Sequence, residues 1–230
     1  MKTIGLIGGM SWESSIEYYR IINETVKAKL GELHSAKSIM YSVDFADIEI
    51  LQHQGQWAEA AQMLINAAKS LENSGADFIV LCTNTMHKVA DDIQANVKIP
   101  LLHIADATAQ LVKDSGIKKI GLLGTRFTME EEFYKGRLSQ KYGLIVNIPN
   151  AQEREIVHRV IYDELVVGEI RQHSKEQYIG IIEQMVNQGA EGVILGCTEI
   201  GLLVHQEDSQ VPLFDTTRIH AEAAAEYSLK

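Results

Sequence analysis

Two kinds of segment alternate along the chain, short apolar runs and longer stretches in which apolar residues recur at helical spacing. Short apolar runs bounded by glycine or polar residues are typical of buried parallel strands. They occur at residues 3–7, 38–43, 78–81, 101–104, 119–123, 144–148, 193–195 and 212–215. Helical spacing is found at residues 14–30, 58–73, 106–115, 154–167 and 174–187, and in a terminal alanine-rich segment. This alternation predicts an α/β protein with doubly wound parallel sheets and right-handed crossovers.

The pattern occurs twice. The segments NSGADFIVLCTNT and NQGAEGVILGCTEIG align when Gly75 is placed on Gly189, which sets Thr83 opposite Cys197 and Cys82 opposite Gly196. The opening IGLIGG also recurs, as IGLLGT at residues 120–125. Such a long repeat indicates duplication of a whole α/β unit. We therefore predict two pseudo-symmetric domains, residues 1–105 plus 212–230 and residues 106–211, with the active site in a cleft between them.

Composition narrows the function classes. The chain has 230 residues, 46% of them hydrophobic, which is enough to form a core in each of two domains. A net charge of −10 without a basic face argues against a nucleic-acid partner. Two cysteines do not make a disulfide framework and indicate a reducing compartment. The apolar run in MKTIGLIGG is too short for a signal peptide or a membrane helix, so we expect a cytoplasmic protein and no membrane partner.

Reactive side chains follow two equivalent strands. Cys197, Thr198 and Glu199 come after one apolar run, and Thr83, Asn84 and Thr85 come after its copy. Open α/β sheets place their reactive groups at the carboxyl ends of their strands. Two opposed acid/base groups suit the removal of a proton from one face of a carbon and its return on the other. A thiol, with a pKa of about 8.5, is suited to this work when nearby donors lower that value.

Other motifs are weak. The glycines of the opening turn lack the GxGxxG spacing, and no P-loop lysine follows them, so a nucleotide site is not predicted. That turn could hold a carboxylate on its backbone N–H groups, or it could be only a strand-to-helix connection. The histidines show no HExxH spacing, so no metal is expected. Cys82 with His87 would suggest a cysteine hydrolase, but no oxyanion-hole motif supports one.

The chain resembles the cofactor-independent aspartate/glutamate racemase superfamily, and its broad-specificity amino-acid racemase branch in particular. The segments that carry the resemblance are IGLIGGMSWES, LCTNTMHKVAD, LLGTRFTME, GVILGCTEIGLL and PLFDTTRIHA, in the family's order over nearly the whole chain. The resemblance implies a two-domain fold, no cofactor or metal, and racemisation of acidic or related amino acids by two acid/base groups.

The chain departs from the family at its first motif. Such racemases usually carry Cys-Asn-Thr there, whereas Thr83 precedes Asn84 here and Cys82 lies one residue early. A slip of one residue turns a strand side chain to the opposite face. We therefore assign Thr83 and Cys197 as the catalytic pair and Cys82 as a small buried thiol, with a loop distortion that brings Cys82 to the cleft as the alternative.

A threonine hydroxyl is a weaker acid than a thiol. Our hypothesis is that Cys197, as a thiolate, takes the α-proton from the L-enantiomer, and that Thr83, directly or through a water, returns a proton on the other face. Abstraction from the D-enantiomer would then be slow, although equilibrium still fixes the final ratio of enantiomers.

Seven residues are predicted to bind substrate: Met10, Gln52, Asn84, Thr85, Thr125, Thr198 and Glu199. Met10 would act through its N–H, and Glu199 would orient Cys197 or hold the substrate ammonium. The alternative role for the threonines is that of helix caps. Aspartate-directed relatives tend to have a basic residue where this chain has Val166 and Val167, so Gln52 is the candidate for the distal group. Aspartate and glutamate come first as substrates, with homoserine open.

Two other classes stay open. The same fold could support a carbanion-forming decarboxylase or a cis–trans isomerase of a dicarboxylate, because either needs only one working cysteine. The chain could also be an amino-acid binding protein that has lost one acid/base group at Thr83. A homodimer is expected on general grounds.

Overall fold

The structure is a computed structural model that describes residues 1–230. Its eight strands form two four-stranded sheets, and all pairings are parallel. The first sheet contains β1 (Ile4–Gly8), β2 (Ser38–Ser42), β3 (Phe78–Leu81) and β4 (Leu101–Leu102). The second contains β5 (Lys119–Gly124), β6 (Ile145–Asn147), β7 (Gly192–Gly196) and β8 (Leu213–Asp215). The predicted α/β class is confirmed.

Ten α-helices connect or follow these strands. They are α1 (Trp12–Leu30), α2 (Phe45–His53), α3 (Trp57–Asn73), α4 (Ala90–Asn96), α5 (Ile104–Asp114), α6 (Arg126–Glu130), α7 (Ala151–Asp163), α8 (Gln172–Asn187), α9 (Ile200–Leu203) and α10 (Thr216–Ser228). Three 3-10 helices lie at Thr85–Val89, Leu165–Val167 and Gln206–Asp208, and a π-helix lies at Arg137–Lys141. No helix is both long enough and apolar enough to span a bilayer.

The two sheets repeat one topology. The strand order is β2-β1-β3-β4 in the first and β6-β5-β7-β8 in the second. The turns that lead into β3 and β7 repeat as well, because Gly75 and Gly189 have φ angles of 92° and 91°. Residues other than glycine rarely adopt these backbone angles, which explains the glycine at both turns. The sequence repeat is therefore present in the backbone.

The chain divides into two compact units with bounds that differ from the predicted ones. The first comprises residues 1–103 and 220–230, and the second comprises residues 104–219. We had expected the whole of 212–230 to belong with the first domain. Instead β8 pairs with β7, with Val193 opposite Leu213 and Leu195 opposite Asp215, so this strand completes the second sheet. The later part of α10 packs in the first unit, through Ala221, Ala224 and Ala225.

Each sheet has an apolar core on both faces, and strand periodicity decides which side chain enters which core. In β3, Ile79 and Leu81 belong to one core, whereas Phe78 and Val80 belong to the other. Cys82 continues the second series. In β7, Val193 and Leu195 share a core with Cys197, whereas Ile194 lies on the opposite face. Because alternate strand residues point to opposite faces, the equivalents of Cys197 are the odd positions that end in Thr83.

Candidate active site

The end of β3 presents a buried turn of polar residues. Thr83, Asn84 and Thr85 are all buried, and the Thr83 N–H donates to the carbonyl of Leu81 at 2.9 Å. The imidazole of His87, one turn further along, contacts the Thr83 carbonyl through Nδ1 at 2.7 Å. The polar residues predicted for this half of the site therefore lie together at the carboxyl end of the strand.

Cys82 is inaccessible to solvent and points into the core formed with α1 and α10. Its Sγ lies 3.8 Å from the carbonyl of Val80, and burial raises the pKa of the thiol. A thiol of this kind stays protonated and unreactive. The structure thus shows Cys82 as the small buried thiol expected from the register, with no distortion of the strand end that would expose it.

Gln52 reaches the same turn from a helix that the sequence pattern did not reveal. Residues 45–53 form α2, a helix that is absent from the segments predicted above. Gln52 is buried, and its Nε2 lies 3.0 Å from Sδ of Met86, on the 3-10 helix that follows Thr83. The missed signal is Asp44, which caps α2 by accepting from the N–H of Ala46 at 3.1 Å.

The glycine turn after β1 is a structural connection more than an open anion site. The N–H of Gly9 donates to Oγ of Ser15 at 2.9 Å, so it is already used within the protein. Gly9 has a φ of 95°, and a Cβ there would collide with the backbone of Val43. Met10 follows and is buried. Of the two possibilities for this turn, the hydrogen bond of Gly9 favours the strand-to-helix connection, while the role of Met10 stays a prediction.

The end of β7 carries a compact acid/base group. Sγ of Cys197 donates to Oε2 of Glu199 at 3.0 Å, and Oγ1 of Thr198 donates to the same oxygen at 2.8 Å. All three residues are buried. A carboxylate that accepts two such bonds can receive a proton from the thiol or return one to it. Of the two roles open to Glu199, orienting Cys197 is the one its hydrogen bonds match.

The surroundings of Cys197 disfavour ionisation of its thiol. Burial, and then the neighbouring Glu199 carboxylate, raise the pKa of Cys197 well above its ordinary value. The main-chain N–H groups of Glu199 and Thr198 act in the opposite direction, because they stabilise a thiolate. Cys197 is therefore a thiol that donates to the Glu199 carboxylate. Proton abstraction by its thiolate stays a prediction.

Two threonines of α10 hold the Cys197 segment in place. Oγ1 of Thr216 donates to the carbonyl of Leu195 at 2.8 Å, and Oγ1 of Thr217 donates to that of Thr198 at 3.3 Å. A threonine that opens a helix is often its cap. Here Asp215 caps α10 instead, because its Oδ1 accepts from the N–H of Thr217 at 2.9 Å. The sequence signal for this role, two threonines after a strand, also fits a cap and did not distinguish the two.

Thr125 follows β5 as Thr83 and Cys197 follow their strands. It is buried and caps α6, with Oγ1 accepting from the N–H of Thr128 at 3.3 Å. The cap considered for this residue is therefore present, and substrate binding by Thr125 stays a prediction.

The predicted residues divide between the two units. The first unit contains Met10, Gln52, Thr83, Asn84 and Thr85, and the second contains Thr125, Cys197, Thr198 and Glu199. Within each unit the residues that end the central strand lie together, as predicted. No group of three or more histidine, cysteine, aspartate or glutamate side chains is arranged to hold a metal ion.

Comparison with known proteins identifies the family of the chain. The sequence profile of the Asp/Glu/hydantoin racemase family matches residues 7–224. The chain belongs to this family. Membership of this family supports racemase activity, which makes the protein an isomerase. It does not specify the substrate or the mechanism.

Three similar proteins place the chain within the family. A Yersinia pestis protein, described as a candidate Asp/Glu racemase, is 60% identical over the full length of both chains with a TM-score of 0.94. An aspartate racemase homologue from Pyrococcus horikoshii OT3 is 38% identical, again over both full chains, with a TM-score of 0.86. The broad-specificity amino-acid racemase of Bacillus subtilis is 25% identical over 172 residues, which is 72% of this chain and 70% of that protein.

Proposed function

We propose that this protein racemises aspartate, glutamate or a closely related amino acid without a cofactor. The observation that carries the proposal is the buried Cys197 thiol, held 3.0 Å from Glu199 at a strand end in a member of a racemase family. Thiol–carboxylate pairs supply a base and a conjugate acid from a single proton, which is what reversible transfer at Cα needs.

The first half-reaction is a transfer between Cys197 and Cα. Glu199 accepts the thiol proton, and the resulting thiolate takes the α-proton of the L-enantiomer to give a thiol and a carbanion. The pair then holds two protons, one on sulfur and one on the carboxyl group, and the substrate carries the matching negative charge. The N–H groups of Thr198 and Glu199, which favour the thiolate, lower the barrier to this step.

The second half-reaction delivers a proton to the other face of the carbanion, and we assign it to Thr83. This assignment requires that Thr83 and Cys197 reach one Cα from opposite sides. The hydroxyl proton passes to carbon directly or through a water, and the hydroxyl regains a proton from solvent. Glu199 releases its extra proton to solvent, which returns the pair to its initial state. Because a hydroxyl is a poor acid near neutral pH, inversion is slower than return of the proton from Cys197.

The substrate assignment rests on the family and on the polar residues of the first unit. The family description and two of the relatives above name Asp or Glu, whereas the Bacillus subtilis relative is described as broad in specificity. Gln52, buried beside the turn at Thr83, offers a neutral amide to a distal carboxylate. A neutral amide can also form a hydrogen bond with a hydroxyl group, so homoserine belongs in the test.

Proton NMR in D2O tests the proposal. L-aspartate, L-glutamate and L-homoserine are each incubated with the wild-type protein, with Cys197→Ala and with Cys82→Ala. We expect loss of the α-proton signal with wild type and Cys82→Ala, and no loss with Cys197→Ala. Chiral chromatography of the same samples measures formation of the D-enantiomer.

The other outcomes have defined meanings. No exchange with any of the three amino acids would overturn the proposal and favour the dicarboxylate enzymes considered above. Binding of an amino acid without exchange at Cα would indicate the binding protein. Exchange that survives Cys197→Ala would remove Cys197 from its assigned role.

A further inference from the structure

The first unit contains three buried histidines that the proposed reaction does not use. His87, His103 and His220 are 2%, 6% and 0% exposed. The ring centroid of His87 lies 4.5 Å from that of His103 and 5.8 Å from that of His220. Three imidazoles packed so closely cannot all be charged, because like charges in a low-dielectric interior repel strongly. We call these three residues the histidine cluster.

Hydrogen bonds anchor one end of the histidine cluster. Nε2 of His220 lies 2.8 Å from the carbonyl of Leu102, and Nδ1 lies 2.8 Å from the hydroxyl of Tyr18. A carbonyl only accepts, so Nε2 carries the proton, and the neutral ring accepts the tyrosine proton at Nδ1. Burial lowers the pKa of His220 to about 4, which agrees with a neutral ring. Hydrogen bonds at both ring nitrogens therefore fix the orientation of His220, against which the rest of the cluster packs.

The other end of the cluster meets the proposed acid/base residue. Nδ1 of His87 lies 2.7 Å from the main-chain carbonyl of Thr83, so by the same reasoning Nδ1 carries a proton and donates it. The His87 ring packs against the rings of His103 and His220, which limits its rotation. A donor held in this way restrains the peptide unit after Thr83, and with it the orientation of the Thr83 side chain.

We propose that His87 is a positioning residue for Thr83: its Nδ1–H, held by the histidine cluster, fixes the Thr83 carbonyl and so aims the hydroxyl that completes inversion. This inference rests on the proposed racemase function. A small displacement of a reacting group can cost about a hundredfold in rate, so a single hydrogen bond to the backbone of Thr83 is enough to matter.

A set of three substitutions isolates the Nδ1 donor. In His87→Asn the amide nitrogen can take the place of Nδ1, whereas in His87→Gln it lies nearer the place of Nε2. His87→Leu has the same branched arrangement of side-chain heavy atoms as Asn and no donor. Thr83→Val serves as the reference for complete loss of the hydroxyl. Each variant is compared with wild type for thermal unfolding before its activity is measured.

The readout is the ratio of two rates measured together from an L-substrate in D2O, deuterium exchange at Cα and formation of the D-enantiomer. Exchange reports the Cys197 side, where Glu199 lets the abstracted proton mix with deuterium, and inversion reports the Thr83 side. We expect His87→Leu and His87→Gln to lower inversion roughly tenfold or more relative to exchange. His87→Asn should keep the ratio within about threefold of wild type.

Two results would overturn the proposal. One is a ratio of inversion to exchange that is unchanged in His87→Leu and His87→Gln, whether or not both rates fall. The other is His87→Asn that behaves like His87→Leu. If His87→Leu does not fold, the contrast between Asn and Gln decides. Nitrogen NMR of labelled histidine adds an independent check, because Nδ1 of His87 must be protonated in the wild-type protein. Absence of exchange in the wild type would instead mean that the proposed function itself has failed.

Discussion

The ends of β3 and β7 occupy equivalent places in two sheets of the same strand order, and yet they carry different chemistry. At β7, Cys197 donates to a carboxylate within its own segment, 3.0 Å away. At β3, the equivalent residue is Thr83, and its main-chain carbonyl contacts Nδ1 of His87 at 2.7 Å. In the proposed reaction, the end of β7 moves a proton between sulfur and a carboxylate, whereas the end of β3 holds a hydroxyl in place.

This difference has a thermodynamic consequence for how the protein should be assayed. Two enantiomers have equal free energies in water, so kcat/KM must be the same in both directions whatever the site looks like. An unequal pair of acid/base groups therefore cannot appear as a one-way enzyme in kcat/KM. It appears in kcat and KM taken separately, and in exchange at Cα that outpaces inversion. The predictions below use that ratio wherever they can.

Replacing Glu199 should have the largest effect, because it removes the proton acceptor from the stronger end. We expect Glu199→Gln to lower both exchange and inversion about a hundredfold or more, the usual contribution of a general base. What activity remains should rise with pH, because burial raises the pKa of Cys197 and the thiolate must now form without a carboxylate. Initial rates from pH 6 to 10 measure both effects.

The matched control is Thr198→Val, which removes the other donor to Oε2 of Glu199 and keeps the carboxylate. We expect this variant to lose about tenfold or less. If Glu199→Gln keeps activity close to that of wild type, Cys197 does not depend on the carboxylate, and the contrast between the two strand ends loses its chemical basis.

The second prediction concerns the loss of stability in acid that His220 causes in the first unit. Burial lowers the pKa of His220 from 6.5 to about 4, whereas an unfolded histidine takes up a proton near 6.5. The unfolded chain therefore binds more protons below pH 6.5, and the folded state loses stability as the pH falls from 6.5 toward 4. The loss amounts to about 3 kcal/mol in the free energy of unfolding.

Urea unfolding at several pH values between 4 and 7.5 measures this loss. His220→Gln is the control, since an amide can donate to the Leu102 carbonyl and accept from Tyr18 but does not titrate. The pH dependence of wild type should exceed that of the variant. Equal pH dependence in the two proteins would mean that His220 is not held neutral by the fold.

The third prediction converts the weaker strand end into a copy of the stronger one. Thr83→Cys should raise inversion roughly tenfold relative to exchange, because a thiol returns a proton to carbon faster than a hydroxyl does. The NMR and chiral assays described above give both rates. An unchanged ratio would contradict the assignment of Thr83 to the slow face. Thr83→Ser keeps a hydroxyl and should leave the ratio near that of wild type.

The sequence predicted the fold and the strand-end register because both depend on local periodicity. Alternation along residues 78–83 is enough to separate Cys82 from Thr83, and the repeat at Gly189 confirms the alignment with Cys197. The sequence did not predict α2, because a nine-residue helix with a weak apolar stripe looks like a polar loop. Nor did it predict that β8 belongs to the second sheet, since strand pairing is a long-range property.

The protonation of the site residues was harder to predict than their identity. Cys197 and Glu199 were both predicted as site residues, but the sequence did not show that the thiol resists ionisation, because the pKa of a thiol depends on burial that no motif records. The histidine cluster joins residues 87, 103 and 220, which are far apart in the chain and share no spacing. Only the packing of β3, β4 and α10 in the first unit brings them together.

The smallest effect is expected for Cys82, and it tests the register on which the comparison rests. Cys82→Ala removes a fully buried sulfur that packs in the core with α1 and α10, which should cost about 1 kcal/mol in the free energy of unfolding. Exchange and inversion should both stay at the wild-type level, because the thiol points away from the side of β3 that ends in Thr83. Urea unfolding and the NMR assay measure the two quantities on one preparation. A selective loss of inversion in Cys82→Ala would show that this thiol takes part at the weaker end, and Cys82 would then replace Thr83 as the partner of Cys197.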